Sequence, residues 1–507
     1  MSKRIRFALA AIVVSIALFA GLSEPSTGSY SSAQSLPSLR LCGECLSFAD
    51  AGAEARPSGR AQQVSPATTR NAALIAATQD LLKQTSEIRQ LSILRPVKSS
   101  AQSRAEIERS LIKSLDEDTT PAEIHANEVA LKRLGLAPMD FQYRALMLRV
   151  LTEQVAGYYD PKTRQFHLAD WIDLDGQKPI MAHELTHALQ DQHFNLRRFE
   201  HWPKGDSDAE LAAHALIEGD ATLAMALYVA NNPLVALAFM KSLGTAGMAS
   251  EELDKAPRAL RESLLFPYQD GEKWVNALYK RGGWNEVSQA FTTLPQSTEQ
   301  ILHPEKYFAH EAPVKVTLPD VSSLLNASGR AEVRDQKSEV SRYAGSADVP
   351  SVLSAKGGLL TALHALATSG WRRIAYDVQG EWGFYLILDQ FLKAPAESHR
   401  AAAGWGGDRF AVYEGPKSQV CFVSLSVWDN QNDAREFFDA YDKRVALRYS
   451  TAEASRLFEA PDRPFVMHTW KTTEGMVTLN LSGTRVLIVE GYPDSVGYEA
   501  LAQVLWK

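Results

Sequence analysis

Residues 180–194 read IMAHELTHALQDQHF, and this run constrains the fold more than any other because it places two imidazoles and a carboxylate among apolar side chains. His183 and His187 are four apart. On a helix of 3.6 residues per turn they stack on one face, close enough for both rings to reach one ion. Glu184 falls about 100° round the helix from His183, beside such an ion and not on it, where it can take a proton from water. Ile180, Met181, Ala182, Leu185, Ala188 and Leu189 surround the polar residues, so the histidines are expected inside a core, where unpaired imidazoles are costly. This is the HExxH pattern, and zinc suits it: the ion takes imidazole nitrogens and a tetrahedral set of three protein ligands plus water.

The third ligand has two candidates. His193 stands at the spacing of the metzincin pattern HExxHxxGxxH, in which a glycine turns the chain back so that a third histidine reaches the metal. Here that glycine is replaced by Gln190, and no Gly or Pro occurs between Ile180 and Trp202, so the helix is expected to run on. His193 would then lie about 240° away round the axis and about 9 Å along it, out of reach. The other candidate lies in SDAELAAHALIEGDATLAMALYVA, residues 207–230, an apolar helical run with Glu218 and Asp220 at its centre. Buried carboxylates need a reason. His214, one turn before Glu218, shares its face and either orients it or closes the core edge. Asp220 points about 200° away from Glu218, so it either braces a ligand histidine from outside or serves as a cap or salt bridge.

A glutamate on a second helix packed against the HExxH helix resembles the arrangement of the gluzincin class of zinc peptidases, with a longer spacing that requires an inserted loop around FEHWPKGDSD. HELTHALQDQHF and LIEGDAT, with the helical 264–308 stretch and its aromatic anchors and Gly-Gly break, resemble a group of exported, zincin-like bacterial and archaeal proteins regarded as metallopeptidases. The resemblance covers roughly residues 75–310 and, weakly, GWGGDRFAVYEG. It implies a peptidase-like fold without an established substrate. It also suggests His303 as the side chain that steadies the oxyanion, with capping or packing by a His-Pro pair as the alternative.

With 45% hydrophobic and 22% charged residues and a net charge of −7, the 507-residue chain reads as a globular protein large enough for two cores, without a basic patch for nucleic acid. MSKRIR followed by FALAAIVVSIALFAGL reads as a secretory signal over residues 1–22, or as an uncleaved membrane anchor; either implies export to a periplasmic or extracellular space. Residues 23–70 read as a linker carrying Cys42 and Cys45, which form a disulfide, stay free or bind metal. Cys421 reads as a buried strand residue.

From residue 71 the pattern is helical, and VAGYYDPKTRQFHLAD just before the HExxH helix reads as two strands joined by an Asp-Pro turn. Zincins carry an edge strand above the metal that pairs with extended peptide, and this hairpin occupies the matching place in the order of elements. Residues 315–350 read as a linker or loop. From 351 to 507, DRFAVYEG, QVCFVSLSVW, RPFVMHTWKT, GMVTLNLS and TRVLIVEGY read as strands interleaved with helices such as NDAREFFDAYDKRV.

The expected fold is therefore α+β: a mainly helical, zincin-like metallopeptidase domain with a short sheet over 71–314, then a smaller α+β domain. The expected function is a Zn2+-dependent metallopeptidase acting on a peptide or protein substrate, with His183, His187 and Glu218 holding the ion and Glu184 as general base. Two alternatives stand beside it: a zinc-stabilised binding or assembly protein that cleaves nothing, and a zinc hydrolase of a non-peptide amide or ester.

Overall fold

The computed structural model describes residues 66–154, 157–171, 174–245, 251–327, 370–450, 453–460 and 465–507. The leader, both N-terminal cysteines and most of the 315–350 segment lie outside the described residues. Among those described the chain is α+β, with helices dominating up to residue 308 and one large sheet after residue 370.

Helix α1 (Pro66–Arg89) is followed by strand β1 (Lys98–Gln102) and helices α2 (Arg104–Asp118), α3 (Pro121–Arg133) and α4 (Tyr143–Gln154). Helices α2 and α3 each open on a capping box, Ser103 with Glu106 and Thr120 with Glu123, which satisfies amides that the first helical turn leaves without partners. The hairpin expected from the sequence is present as β2 (Gly157–Asp160) and β3 (Gln165–Ala169), and Asp160 Oδ1 accepts from Lys162 N in the turn at 2.9 Å. Strand β1 pairs parallel with β3, giving the order β1-β3-β2 and leaving β2 at one edge.

Helix α5 (Leu174–Phe194) carries the HExxH run, and after a 3-10 turn α6 (Ser207–Asn231) carries Glu218. Asp206 caps α6 by accepting from Ala209 N. Helix α7 (Pro233–Thr245) packs back on α5, and the long α8 (Arg258–Ala290) crosses α6 before breaking at Gly282 and Gly283, the latter at φ 65°. Where α6 and α8 cross, the backbones touch. A Cβ on Gly219 would lie 2.2 Å from the Gly271 carbonyl oxygen, and one on Gly271 would lie 2.3 Å from that of Ala215. Only glycine fits this crossing, and it fixes how deeply the helix bearing Glu218 sits.

The C-terminal sheet holds β4 (Arg372–Asp377), β5 (Trp405–Glu414), β6 (Val420–Trp428), β7 (Glu453–Ala460), β8 (Phe465–Thr472), β9 (Gly475–Ser482) and β10 (Arg485–Tyr492). Their order is β4-β5-β6-β10-β9-β8-β7, every neighbour antiparallel. Alternate residues face opposite sides. Val486 and Ile488 join the core under α9 (Gly380–Leu392) and α10 (Gln431–Arg448), while Leu487 and Val489 face the C-terminal helix α11 (Tyr498–Leu505).

Residues 315–327, the described part of the segment read as a linker or loop, are packed against the sheet: Val316, Leu318, Val321 and Leu325 fill its second face beside Leu501 and Leu505. Their apolar side chains are spaced too irregularly to signal burial by period. One apolar cluster runs without interruption from Leu216, Phe266 and Trp274 into Trp382, Phe384 and Phe437, so the helical part and the sheet share a core.

Candidate metal site

The middle turns of α5 bury His183, Glu184 and His187 completely, and α6 brings Glu218 opposite them at 1% exposure. His183 Nε2 and His187 Nε2 are 3.1 Å apart, and Glu218 Oε2 lies 3.2 Å from the first and 3.3 Å from the second. Ligands held about 2.0–2.1 Å from a tetrahedral ion stand about 3.3–3.4 Å from one another, so the three atoms already have the spacing of three corners of such a shell. The donor set, two imidazoles and a carboxylate, suits zinc. Glu218 Oε1, Glu184 Oε1 and His183 Nδ1 are buried without hydrogen-bond partners. Buried carboxylate oxygens left in this way are costly unless a cation neutralises them, so the residues fit a divalent metal.

Electrostatics sharpen the division of roles. Burial by itself would raise Glu218, but the charge of His187 and hydrogen bonds from both imidazoles outweigh it and hold the carboxyl below its ordinary range. Glu184 differs: burial pushes it up to about 8 against the opposing pull of His187 and the Tyr159 amide. That amide, on edge strand β2, donates to Glu184 Oε2 at 2.8 Å and ties the hairpin to the HExxH helix.

A buried relay backs His187. Its Nδ1 meets Gln190 Oε1 at 2.9 Å, which assigns a proton to Nδ1 and turns Nε2 toward the site. Gln190 Nε2 donates to Asp220 Oδ2 at 2.9 Å and to the Ile217 carbonyl at 3.0 Å. Asp220 in turn pairs with Arg89 of α1, whose guanidinium lies 4.4 Å from the centre of the Trp284 ring. Asp220 thus acts at one remove from the histidine and is also a salt bridge, combining two roles read as alternatives. Tyr268 of α8, its ring centre 6.3 Å from that of His183, closes the site on the other side. Sequence reasoning missed Gln190 as a brace, Arg89, the Tyr159 amide and Tyr268.

The remaining sequence candidates lie elsewhere. Helix α5 continues through His193, whose half-buried ring donates from Nε2 to the Ser92 carbonyl at 2.7 Å, outside the set. His214 is buried on α6, its Nε2 4.0 Å from Glu210 Oε1. His303 stands at the N-cap position of the short helix Pro304–Phe308 and its Nε2 contacts Glu381 Oε1 of α9 at 2.9 Å, the packing role read as the alternative to steadying an oxyanion. Its ring is committed to Glu381 of the C-terminal layer. Among the described residues one other grouping is tight enough for an ion, Glu299 with Glu311 and Asp429, but Lys306 Nζ sits among them at 2.6–3.0 Å and already supplies the charge. Cys421 is buried, and burial pushes its thiol up to about 12, which leaves it without thiolate character.

These features define an α+β protein with a buried His-His-Glu site between two core helices. Residues 366–502 match a family described as a domain of unknown function, DUF8575; that stretch covers all seven strands of the C-terminal sheet and none of the candidate ligands. No curated protein and no solved structure matches the chain.

Proposed function

We propose that this chain is an exported, zinc-dependent metallopeptidase of gluzincin type. The observation that carries the reading is the triangle of His183, His187 and Glu218 ligand atoms at 3.1–3.3 Å, with Glu184 next in sequence and buried beside it. Zinc bound there supplies Lewis acidity toward water and a carbonyl oxygen. Glu184 takes the proton from the attacking water and passes it to the leaving amine, so water adds across the C–N bond with no other reactant. Gln190 holds the His187 ring, and Tyr159 N holds one Glu184 oxygen so that the other faces the site. Export rests on the basic and apolar N-terminal run, MSKRIR followed by FALAAIVVSIALFAGL.

Complete burial of the four residues, with the β2 amide on Glu184, favours one second reading: a zinc-stabilised binding protein that cleaves nothing. One experiment separates the two. The purified protein is expected to hold about one zinc per chain and to cleave an unfolded protein, while Glu184→Gln keeps the zinc and loses activity by a factor on the order of 10² to 10⁴. Tight zinc without hydrolysis in the wild type supports the binding protein, and near-normal hydrolysis by Glu184→Gln refutes the role of Glu184.

A further inference from the structure

A cavity of about 710 Å³ opens between α3, the first half of α6, the start of α8 and the β4–α9 region of the C-terminal part. Glu218 and Tyr268 are among its lining residues, so it reaches the proposed metal site. Its walls are aromatic and acidic. Trp202, Tyr268, Tyr376 and Trp382 line it, as do the carboxylates of Glu117, Asp118, Glu123, Asp206, Glu210 and Asp377. Among the described lining residues the one permanent cation is Lys204, and its ammonium is engaged with Glu123 at 2.5 Å. Two further groups on the wall call for a ligand. Glu218 Oε1 is buried with no hydrogen-bond partner, and so is the indole Nε1 of Trp382, a donor suited to a peptide carbonyl.

We propose that this cavity is the substrate channel and that it selects peptides carrying a lysine or arginine close to the bond that is cut. The inference rests on the metallopeptidase reading and adds the substrate class. Glu210, His214 and Glu218 follow one another at four-residue steps along one face of α6, so Glu210 lies about 12 Å up the helix from the ligand carboxylate. An extended peptide advances about 3.3 Å per residue, and a lysine or arginine side chain adds about 6 Å. A basic residue one or two positions from the scissile bond therefore reaches Glu210. A carboxylate only 14% exposed on a channel with aromatic walls is a stronger partner for such a cation than a surface carboxylate, since the charge is less screened and the ring faces attract it as well. Glu210 is a specificity-determining residue in this scheme and Trp382 aligns the peptide backbone.

The test uses the full zinc-loaded chain and two arms. In the first, an unfolded protein is digested and the cuts mapped, and kcat/KM is compared for a peptide pair that differs by Lys or Gln two residues from the bond. Cuts are expected to cluster within two residues of Lys or Arg, and Glu210→Gln is expected to lower the Lys/Gln preference about tenfold, mainly through KM; Glu210→Lys reverses it toward acidic peptides. In the second, the Glu184→Gln protein is titrated with a fluorescent hexapeptide carrying two lysines and with its glutamate counterpart. The lysine peptide is expected to bind at least tenfold more tightly, with the advantage lost in Glu184→Gln/Glu210→Gln. Cleavage without basic bias and unchanged by Glu210→Gln overturns this proposal and leaves the peptidase reading intact. Selective binding of the lysine peptide without any cleavage supports the cationic channel and counts against the peptidase.

Discussion

Gly219→Ala tests whether the α6–α8 crossing sets the geometry of the candidate metal site. On an isolated helix this change stabilises by about 0.5–1 kcal/mol, because alanine loses less conformational freedom. Here the added methyl would sit 2.2 Å from the Gly271 carbonyl oxygen and 2.3 Å from its carbon, atoms of a helix backbone that no rotamer change can move. Ordinary contact needs about 3.4 Å or more, so the helices must part by about 1 Å, and overpacking of this kind costs about 1–3 kcal/mol. Glu218 is the adjacent residue and moves with the backbone. A metal site tolerates about 0.2 Å in its ligand distances, so the shift is expected to weaken zinc at least tenfold. The assay is a thermal melt of both proteins with zinc and with chelator, together with a competitive chelator titration. A lower melting temperature in both conditions and a smaller zinc-induced rise are expected. A variant that melts at or above the wild-type temperature with unchanged zinc affinity refutes the reasoning, since helix propensity alone would then govern the position.

Further outcomes follow from the same contacts. Glu218→Ala is expected to abolish stoichiometric zinc in the presence of a mild chelator, whereas His193→Ala changes affinity less than about threefold; the reverse order, read by metal analysis, would place the third ligand on α5. Arg89→Met leaves the buried Asp220 carboxylate without its partner and is expected to cost about 3–5 kcal/mol in urea unfolding, with much of the loss recovered in Arg89→Met/Asp220→Leu. Equal stability of the single and double variants would deny the pairing. Glu490 gives a pH dependence: burial opposes its ionisation, but Arg444, Arg448 and Arg133 prevail and hold it at about 2 in the fold. A folded value below the ordinary 4.5 means the stabilisation, about 3 kcal/mol, is present above pH 4.5 and lost as pH falls from there toward 2. Unfolding free energies measured from pH 6 to pH 3 should therefore fall more steeply in the wild type than in Glu490→Gln, and parallel curves would exclude Glu490 as the source.

Much of this architecture was legible because it is written in short periods. The four-residue step from His183 to His187, the apolar run of α6 interrupted by Glu218, the Asp-Pro turn before Gln165 and the alternating strands from Trp405 onward all state their geometry locally. What was not legible depends on residues far apart in the chain. Arg89 reaches Asp220 across 131 positions, and no local pattern announces that pairing. Gln190 was read only as the absence of a turning glycine, although its amide joins His187 to Asp220. Strand β1, KSSAQ, is polar, and what makes it a strand is parallel pairing with β3. His303 was read from order along the chain, and its contact with Glu381, 78 positions on, has no local signal.

The uninterrupted core bears on what counts as a unit of inheritance in this chain. A family boundary at residue 366 separates Trp382 from Phe266, whose rings lie 4.6 Å apart, and Arg444 from the Leu134 carbonyl to which it donates. A fragment cut there would carry the sheet but leave the outer face of α9 facing water, and the helical part would lose the same surface. A chain that borrowed either segment would need a replacement for the lost half of its interior. Substitutions on α9 should therefore track changes in the helices before residue 308 more closely than changes in the distant strands of their own sheet.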